Sequence, residues 1–145
     1  MKITINEDAA LDELEVIINC SHTDDRVLRI IASLRSLDNK LIGIKDDQTF
    51  LLSPDSVLYA ESVDKKTFIY CQKEIYETPL RLYELEDKLS ASGFFRASKA
   101  TIINLSQVRS LRPDFGGRLL MTMNNGEKMV VSRQYAISIK EKLGI

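Results

Sequence analysis

The sequence contains little of what most enzyme and metal sites are built from. Its 145 residues include one histidine, His22, two cysteines and no tryptophan. One histidine and two scattered cysteines do not supply the ligand spacing of a zinc site, and His22 lies among helix-capping residues. Neither common glycine-rich phosphate loop is present. We therefore expect a protein that is not an enzyme and that has no catalytic centre, metal site or cofactor.

Long apolar runs are also missing. No stretch reaches the length of a membrane span, and the first residues have no signal-peptide core. We therefore expect a cytoplasmic protein without direct membrane insertion. Cys20 and Cys71 each lie inside an apolar run, which favours two buried thiols over a disulfide or a redox pair.

The charges that are present are segregated along the chain, although the formal net charge is only -1. Residues 1–44 carry a net charge of -3 and residues 45–91 a net charge of -4, whereas residues 92–145 carry +6. A local cationic field of this kind suits a polyanionic partner such as DNA or RNA. Small domains also show such asymmetry by chance, so the charges alone do not decide the function.

Residues 1–40 are predicted to form a small α/β unit. Residues 2–6 and 14–20 have the apolar patterns of two strands. Thr23 is suited to cap a helix that we predict over residues 24–37, where apolar residues recur at helical spacing. This strand–strand–helix unit is a candidate for dimerisation or partner binding. Simple packing against the rest of the chain is the alternative.

Residues 41–145 have mainly the pattern of antiparallel β-structure. Short β-type runs bounded by turn residues predict strands at residues 41–45, 49–52, 57–63, 67–72, 75–78, 94–97, 101–104, 108–112, 118–123 and 128–131. Leucines at helical spacing predict a central helix at residues 80–92, and Ser132 is suited to cap a C-terminal helix. The predicted fold class is α+β, mainly antiparallel β.

Cations lie where several of these elements end. Arg96 and Lys99 follow one strand, and Ser98 between them can hydrogen-bond a phosphate oxygen. At Ser132 and Arg133 a helix N-terminus offers free backbone N–H groups and a positive dipole to an anion. The same dipole disfavours Arg133, which suggests that this cation serves an external anion, with a surface accident as the alternative.

Two further groups of cations have less specific patterns. Lys65 and Lys66 occupy a turn that is equally typical of a solvated hairpin loop. Arg109, Arg112 and Arg118 flank the turn at residues 113–117, where they could clamp a nucleic-acid backbone or simply be solvated. Neither group indicates nucleic-acid binding without the others.

Three motifs together resemble the LytTR family of bacterial DNA-binding domains. They are Leu-Tyr-Ala-Glu-Ser at residues 58–62, the run from Phe94 to Leu105 that contains Phe-Phe-Arg and Ile-Ile-Asn-Leu, and the run from Asn125 to Tyr135 that contains Asn-Gly-Glu and Val-Ser-Arg. The resemblance covers residues 43–143. It implies an elongated domain of mostly antiparallel sheets with a small helix between them, in which loops enter successive major grooves and bend the duplex.

The resemblance, together with the cations described above, assigns candidate contact residues. Base contacts are expected at Lys99, Arg133, Lys66 and Thr67. Phosphate contacts are expected at Arg96, Ser98, Asn104, Arg118, Ser132, Tyr135 and Lys65. Some family members have histidine or asparagine where this chain has Thr67 or Lys99, so the preferred DNA sequence is not implied.

We therefore expect a bacterial transcription regulator that binds double-stranded promoter DNA as a homodimer, or as a pair on repeated sites. The residues before the DNA-binding part are too few for a doubly wound receiver domain. In this the chain resembles the family's stand-alone regulators, whose genes can sit beside small membrane proteins, so such a protein is a candidate partner. The alternatives are a protein–protein interaction module of a signalling system without direct DNA readout, and an enzyme with an unrecognised site.

Overall fold

The computed structural model describes the backbone of residues 1–145 and all side chains except those of residues 36–38. Three α-helices and ten strands follow one another along the described chain. All strand pairs are antiparallel. The predicted α+β class with mainly antiparallel strands is therefore confirmed. None of the helices in the described residues is both long enough and apolar enough to cross a membrane.

Seven strands form the first sheet and three form the second. The first sheet has the order β2-β1-β5-β4-β3-β7-β6 and comprises β1 (Leu41–Lys45), β2 (Gln48–Leu52), β3 (Val57–Val63), β4 (Lys66–Cys71), β5 (Ile75–Thr78), β6 (Phe94–Ser98) and β7 (Thr101–Asn104). The second has the order β10-β9-β8 and comprises β8 (Val108–Pro113), β9 (Leu119–Met123) and β10 (Lys128–Val131). The helices are α1 (Asp25–Asp38), α2 (Leu82–Leu89) and α3 (Arg133–Leu143).

Two hydrophobic cores lie on opposite faces of the first sheet. The first core joins α2 to one face and consists of Leu41, Leu52, Val57, Ala60, Ile69, Leu82, Leu85, Leu89, Phe94 and Ile102. The second core joins the second sheet and α3 to the other face and consists of Leu58, Tyr59, Ala97, Ile103, Leu119, Met121, Met123, Val131, Ala136 and Ile139. Because β3 contributes to both cores, its residues 57–60 are buried in succession rather than alternately.

Two of the hairpins turn through pairs of left-handed residues. Asp46 and Asp47 have φ angles of 52° and 61°, and Asp64 and Lys65 have φ angles of 50° and 66°. Positive φ at both central residues matches the twist of antiparallel strands, and aspartate tolerates this conformation better than most residues. Lysine does not share that tolerance, so the position of Lys65 is conformationally costly. These turns fall where the sequence predicts them.

The N-terminal segment differs from its prediction. Residues 2–6 and 14–20, predicted as strands, belong to no helix or strand in the described structure. A strand needs a neighbour to satisfy its backbone hydrogen bonds, and no described strand of this chain pairs with either segment. Ile3, Ile5 and Leu14 are consequently left mostly exposed. Of the predicted strand–strand–helix unit, only the helix is present.

Two local details of this region also need correction. Asp24 rather than Thr23 caps α1, since its Oδ1 accepts a hydrogen bond from the backbone N–H of Val27 at 3.0 Å. The expectation of two buried thiols is wrong for Cys20, which is exposed. Cys71 is half-buried, and burial raises the pKa of its thiol.

Replacement of Leu85 tests the packing of α2. Leu85 is fully buried in the first core, so Leu85→Ala should lower the free energy of unfolding by about 2–5 kcal/mol because it leaves a cavity. The measurement is urea unfolding followed by circular dichroism. Tyr83→Ala on the same helix is the control, since Tyr83 is exposed and its loss should change stability by no more than about 0.5 kcal/mol. Equal losses in the two variants would contradict this placement of α2.

Candidate nucleic-acid interface

The turn between β6 and β7 presents Lys99 to solvent. A register shift between Arg96 and Ser98 interrupts the strand pairing just before the turn, as a β-bulge does when it redirects side chains. The hydroxyl of Ser98 accepts a hydrogen bond from the backbone N–H of Ala100 at 3.3 Å. The turn is therefore closed by its own residues, and the side chain of Lys99 is exposed.

The β3–β4 turn lies at the same end of the first sheet. Because β3 and β7 are antiparallel neighbours, the end of β3 is next to the start of β7. The backbone N–H of Ser62 donates a hydrogen bond to the carbonyl of Ala100 at 2.8 Å. This bond joins the β3–β4 hairpin to the β6–β7 turn. Lys65 and Lys66, at the tip of the hairpin, are both exposed.

The N-terminus of α3 is held against the end of β6. The backbone N–H of Ser132 donates to the carbonyl of Ala97 at 2.8 Å. Ser132 is the N-cap residue of α3, and its hydroxyl makes no capping hydrogen bond within the described structure. Arg133 follows as the first helical residue and is exposed. A helix dipole, a serine hydroxyl and a guanidinium are thus available to an anion at one place.

The 3-10 turn at Phe115–Gly117 packs beside Arg133. Gly117 has a φ angle of 82°, and a Cβ atom added to it would lie 3.0 Å from Cγ and 3.1 Å from Cδ of Arg133. The backbone of Gly117 therefore lies against the apolar stem of this arginine. A side chain at position 117 would push this stem aside by a few tenths of an ångström, and the left-handed conformation itself favours glycine.

Arg118, predicted to contact phosphate, is half-exposed and also braces this turn. Its Nη2 lies 3.3 Å from Oδ2 of Asp114, and its Nε donates to the carbonyl of Phe115 at 3.0 Å. Tyr135, the other predicted contact near this place, is half-buried and packs against the second core. Both side chains retain a solvent-facing part, but each also has an internal structural role.

Two residues near these turns were missed by the sequence analysis. Phe115 is 86% exposed. The sequence did carry a signal for this residue, because it is a large aromatic residue inside a turn of proline, aspartate and glycine. Arg81 lines a cleft of about 210 Å³ together with Lys65 and Lys66. Its sequence position, at the start of a helix that buries leucines, carried no such signal. The tertiary structure alone brings Arg81 to the lysine turn.

Two predicted contact residues are buried and need correction. Asn104 is 1% exposed, and its amide group donates to the carbonyl of Val57 at 2.9 Å and accepts from the backbone N–H of Ser106 at 3.1 Å. It therefore holds the start of β3 to the end of β7 and is not presented to a phosphate. Thr67 is 5% exposed and lies within β4 rather than at the hairpin tip, so it is not presented to a base edge.

Arg96, a predicted phosphate contact, also differs from the exposed cations. Its side chain is only 17% exposed, and its Nε lies 3.1 Å from Oε2 of Glu86 on α2. A second guanidinium nitrogen, Nη1, donates to the carbonyl of Lys99. Arg96 is therefore engaged inside the protein, at the base of the turn that carries Lys99.

A pair of stacked tyrosines supports the β3–β4 hairpin. The rings of Tyr59 and Tyr70 are 4.4 Å apart and nearly parallel, and the hydroxyl of Tyr70 donates to Oε1 of Glu61 at 2.9 Å. Burial, and then the hydrogen bond to Glu61, raises the pKa of Tyr70. Burial also raises the pKa of Tyr59, and the carboxylate of Glu127 acts in the same direction. Both hydroxyls therefore stay protonated and uncharged at neutral pH.

The titratable residues offer little for other chemistry. Among the side chains that the structure describes, there is no group of three or more histidine, cysteine, aspartate or glutamate residues that could hold a metal ion. The residues gathered at one end of the first sheet are instead cations, hydroxyls and backbone N–H groups. These are the groups that bind phosphate oxygens and base edges.

Comparison with known proteins identifies the family. The family model of the LytTr DNA-binding domain matches residues 47–144. The chain is similar to the sensory transduction protein LytT of Enterococcus faecalis, with 28% identity over 100 residues, which are 69% of this chain and 41% of LytT. The match thus spans about two fifths of that relative. The chain is also similar over its whole length to an HTH-type transcriptional regulator of Staphylococcus aureus, with 29% identity over 147 residues and 99% of the relative covered.

A solved structure extends the similarity to the fold. It is the LytTr DNA-binding domain of a methyl-accepting/DNA response regulator from Bacillus cereus, with a TM-score of 0.69 and 27% sequence identity. The superposition covers 73% of this chain and 97% of that domain. These similar proteins are named as regulators and DNA-binding domains rather than as enzymes.

The structural role of Asn104 can be tested by Asn104→Asp. The new carboxylate would face the carbonyl of Val57 without a donor between them, which should lower the free energy of unfolding at pH 7 by about 3–5 kcal/mol. Burial should raise the folded-state pKa of this carboxyl above its unfolded value. The loss should therefore be complete above the folded pKa and disappear as the pH falls below the ordinary value of about 3.9. Urea titrations at several pH values measure both effects.

The matched control is Asn125→Asp, which makes the same chemical change in an exposed turn. Its carboxylate can still accept the hydrogen bond that the backbone N–H of Glu127 donates to Asn125. Its stability should therefore remain close to that of the unmodified protein. Similar losses in both variants would show that Asn104 is not the buried anchor described here.

Proposed function

The chain belongs to the LytTR family of DNA-binding domains, and we propose that it is a sequence-specific transcription regulator acting in the cytoplasm. Membership of this family indicates a DNA-binding regulator. The proposal concerns how this chain recognises DNA: the turns at one end of the first sheet and the N-terminus of α3 enter the grooves of a promoter. The observation that carries it is the pair of backbone hydrogen bonds from Ser62 to Ala100 and from Ser132 to Ala97.

These two bonds set the spacing of three cationic elements. The β6–β7 turn carries Lys99 and is bonded through Ala100 to the strand leading to Lys65 and Lys66. Ala97, near the end of β6, is bonded to Ser132, the residue before Arg133. All four side chains are exposed. Elements of fixed spacing can enter neighbouring grooves together without losing much conformational freedom on binding.

We assign base reading to Lys99, Lys66 and Arg133. Their side chains are long and exposed, and the guanidinium of Arg133 can donate two hydrogen bonds to O6 and N7 of one guanine. Thr67 is left out of this set because it is buried. One monomer then offers few base contacts, and two copies on repeated sites would multiply specificity.

Phosphate contacts are assigned to the groups around these readers. Ser132 and Ser98 offer hydroxyls, while Lys65 and the exposed part of Arg118 offer positive charge. Tyr135 is retained as a weaker candidate because it is half-buried. We add Arg81, which shares the cleft of the lysine turn, and Phe115, whose exposed ring can pack against a sugar or an unstacked base.

Pairing of two copies is assigned to the N-terminal unit, residues 1–40. Its apolar side chains at Ile3, Ile5, Leu14 and Ile17 are mostly exposed in the single chain, and its strand-type segments have no strand neighbour among the described residues. Pairing with a second copy would satisfy both the backbone and the apolar side chains. Docking of a small membrane protein to this unit is the alternative.

Arg133→Ala tests base reading. It should weaken binding to the protein's own upstream promoter by about 1–3 kcal/mol and relax the preference at one base pair, because the two hydrogen bonds to a guanine are lost. The measurement is a gel-shift titration against promoter and random duplexes at two salt concentrations. Lys128→Ala is the matched control, since Lys128 is exposed on β10 outside the proposed surface.

Binding of the unmodified protein should weaken steeply as salt rises, with a slope of about -0.9 per neutralised phosphate in a logarithmic plot. An equal loss on all sequences for Arg133→Ala would contradict base reading by this residue. Binding that ignores salt would instead favour the interaction-module alternative for the whole protein.

Pairing is tested by the double variant Leu14→Asp/Ile17→Asp. Two charges in the exposed apolar segment should prevent burial against a second copy and convert a dimer to a monomer. Light scattering during size-exclusion chromatography measures the mass. Ile145→Asp is the control, because Ile145 is also exposed but lies at the other end of the chain. A monomeric unmodified protein would contradict pairing through this unit and leave partner docking.

A further inference from the structure

The strand register places Arg96 on the side of the sheet that faces α2. Arg96 lies opposite Ile102 in the β6–β7 pair, and Ile102 belongs to the first core beneath α2. Directly opposed residues of antiparallel strands point to the same face. The side chain of Arg96 therefore extends towards α2, where it meets Glu86, rather than towards the second sheet and Arg133.

The guanidinium of Arg96 bridges α2 and the turn that carries Lys99. Its Nε lies 3.1 Å from Oε2 of Glu86, and its Nη1 donates to the carbonyl of Lys99. The planar fork of arginine can make these two contacts in different directions at once, and a lysine ammonium lacks that fixed geometry. With a side chain only 17% exposed, Arg96 has little surface left for an external anion.

Glu86 is the informative member of the pair. A carboxylate beside a DNA-binding surface repels phosphates, so it is unfavourable there unless it has another role. Its one ion pair in the described structure is with Arg96. The other contact of Arg96 is the backbone carbonyl of Lys99 in the β6–β7 turn. Pairing partly neutralises both groups and orients the arginine towards the carbonyl of Lys99.

We propose that Arg96 and Glu86 are positioning residues for Lys99, and that neither contacts DNA. This inference rests on the proposed function, since positioning matters only if Lys99 reads a base. Loss of Arg96 would remove the hydrogen bond to the carbonyl of Lys99, and loss of Glu86 would remove the contact that orients Arg96 for it. The turn would keep only its strand pairing, the bond to the Ser98 hydroxyl and the Ser62 hydrogen bond. The turn would then sample more conformations, and specific binding would suffer more than non-specific binding.

The competing interpretation, in which Arg96 contacts phosphate, makes a different prediction. If Arg96 contacts phosphate, removal of Glu86 releases a cation and deletes a nearby negative charge, so binding to every duplex should strengthen. If Arg96 positions Lys99, removal of Glu86 should weaken the preference for the promoter. The ratio of promoter affinity to random-duplex affinity therefore separates the two roles: a fall in Glu86→Ala indicates positioning, and an unchanged ratio with stronger binding to both duplexes indicates a phosphate contact.

We expect Glu86→Ala to lower this ratio about tenfold, which corresponds to about 1.4 kcal/mol. The matched control is Asp87→Ala, which makes the same charge change at an exposed neighbour on α2 and should leave the ratio unchanged. Arg96→Lys should lower the ratio as well, while its affinity for random duplex stays the same because the charge is kept. An unchanged or higher ratio for Glu86→Ala would overturn the inference.

A second measurement without DNA keeps this result separate from the proposed function. Amide hydrogen exchange at Ala100 should be faster in Glu86→Ala than in Asp87→Ala, because Glu86 no longer orients Arg96 towards the carbonyl of Lys99 in the turn. Equal exchange in the two variants would overturn positioning whatever the DNA results. If the unmodified protein does not prefer its promoter, the proposed function fails, and the exchange experiment still decides whether the pair holds the turn.

Discussion

The candidate interface depends on backbone hydrogen bonds between turns that are distant in sequence. Ser62 and Ala100 join the β3–β4 hairpin to the β6–β7 turn, and Ala97 and Ser132 join β6 to the start of α3. The second bond connects an edge strand of the first sheet to the helix that follows the second sheet. The spacing between cationic side chains is thus set by the main chain, which varies less than side-chain conformation does.

Burial then decides which polar groups remain available. Asn104 points inward: its amide donates to the buried carbonyl of Val57 and accepts from the backbone N–H of Ser106, so its own polar atoms are paired inside the protein. Lys99 and Arg133 point outward to solvent. Each follows a serine that is hydrogen-bonded to the surrounding turn or strand. The same chain region therefore contains both the anchors of the fold and the groups offered to a ligand.

Electrostatics follow the same division. Residues 92–145 carry a net charge of +6, yet their cations are not equivalent. Arg96 and Arg118 have carboxylate partners within the protein. Lys99 is exposed at the tip of a turn, and Arg133 is exposed at a helix N-terminus. Exposed cations attract a polyanion at long range, whereas cations that are paired within the protein stabilise the shape of the surface that binds it.

Much of this could be predicted from the sequence because it depends on local patterns. The strand and helix periodicities predicted the elements after residue 40, and three motifs indicated the family that the comparison then showed. The orientation of individual polar residues could not be predicted in this way. Asn104 bonds to Val57, which is 47 residues away, and Arg96 meets α2 only through the strand register.

The N-terminal segment also shows that local sequence patterns alone do not predict tertiary contacts. Residues 2–6 and 14–20 have strand patterns, but a strand forms only when a neighbour satisfies its backbone, and no described strand of this chain lies beside them. The sequence by itself determined the local elements, the charge distribution and the family motifs. Only the tertiary structure decided which of these residues are buried, paired or exposed, because burial and pairing arise from contacts between distant parts of the chain.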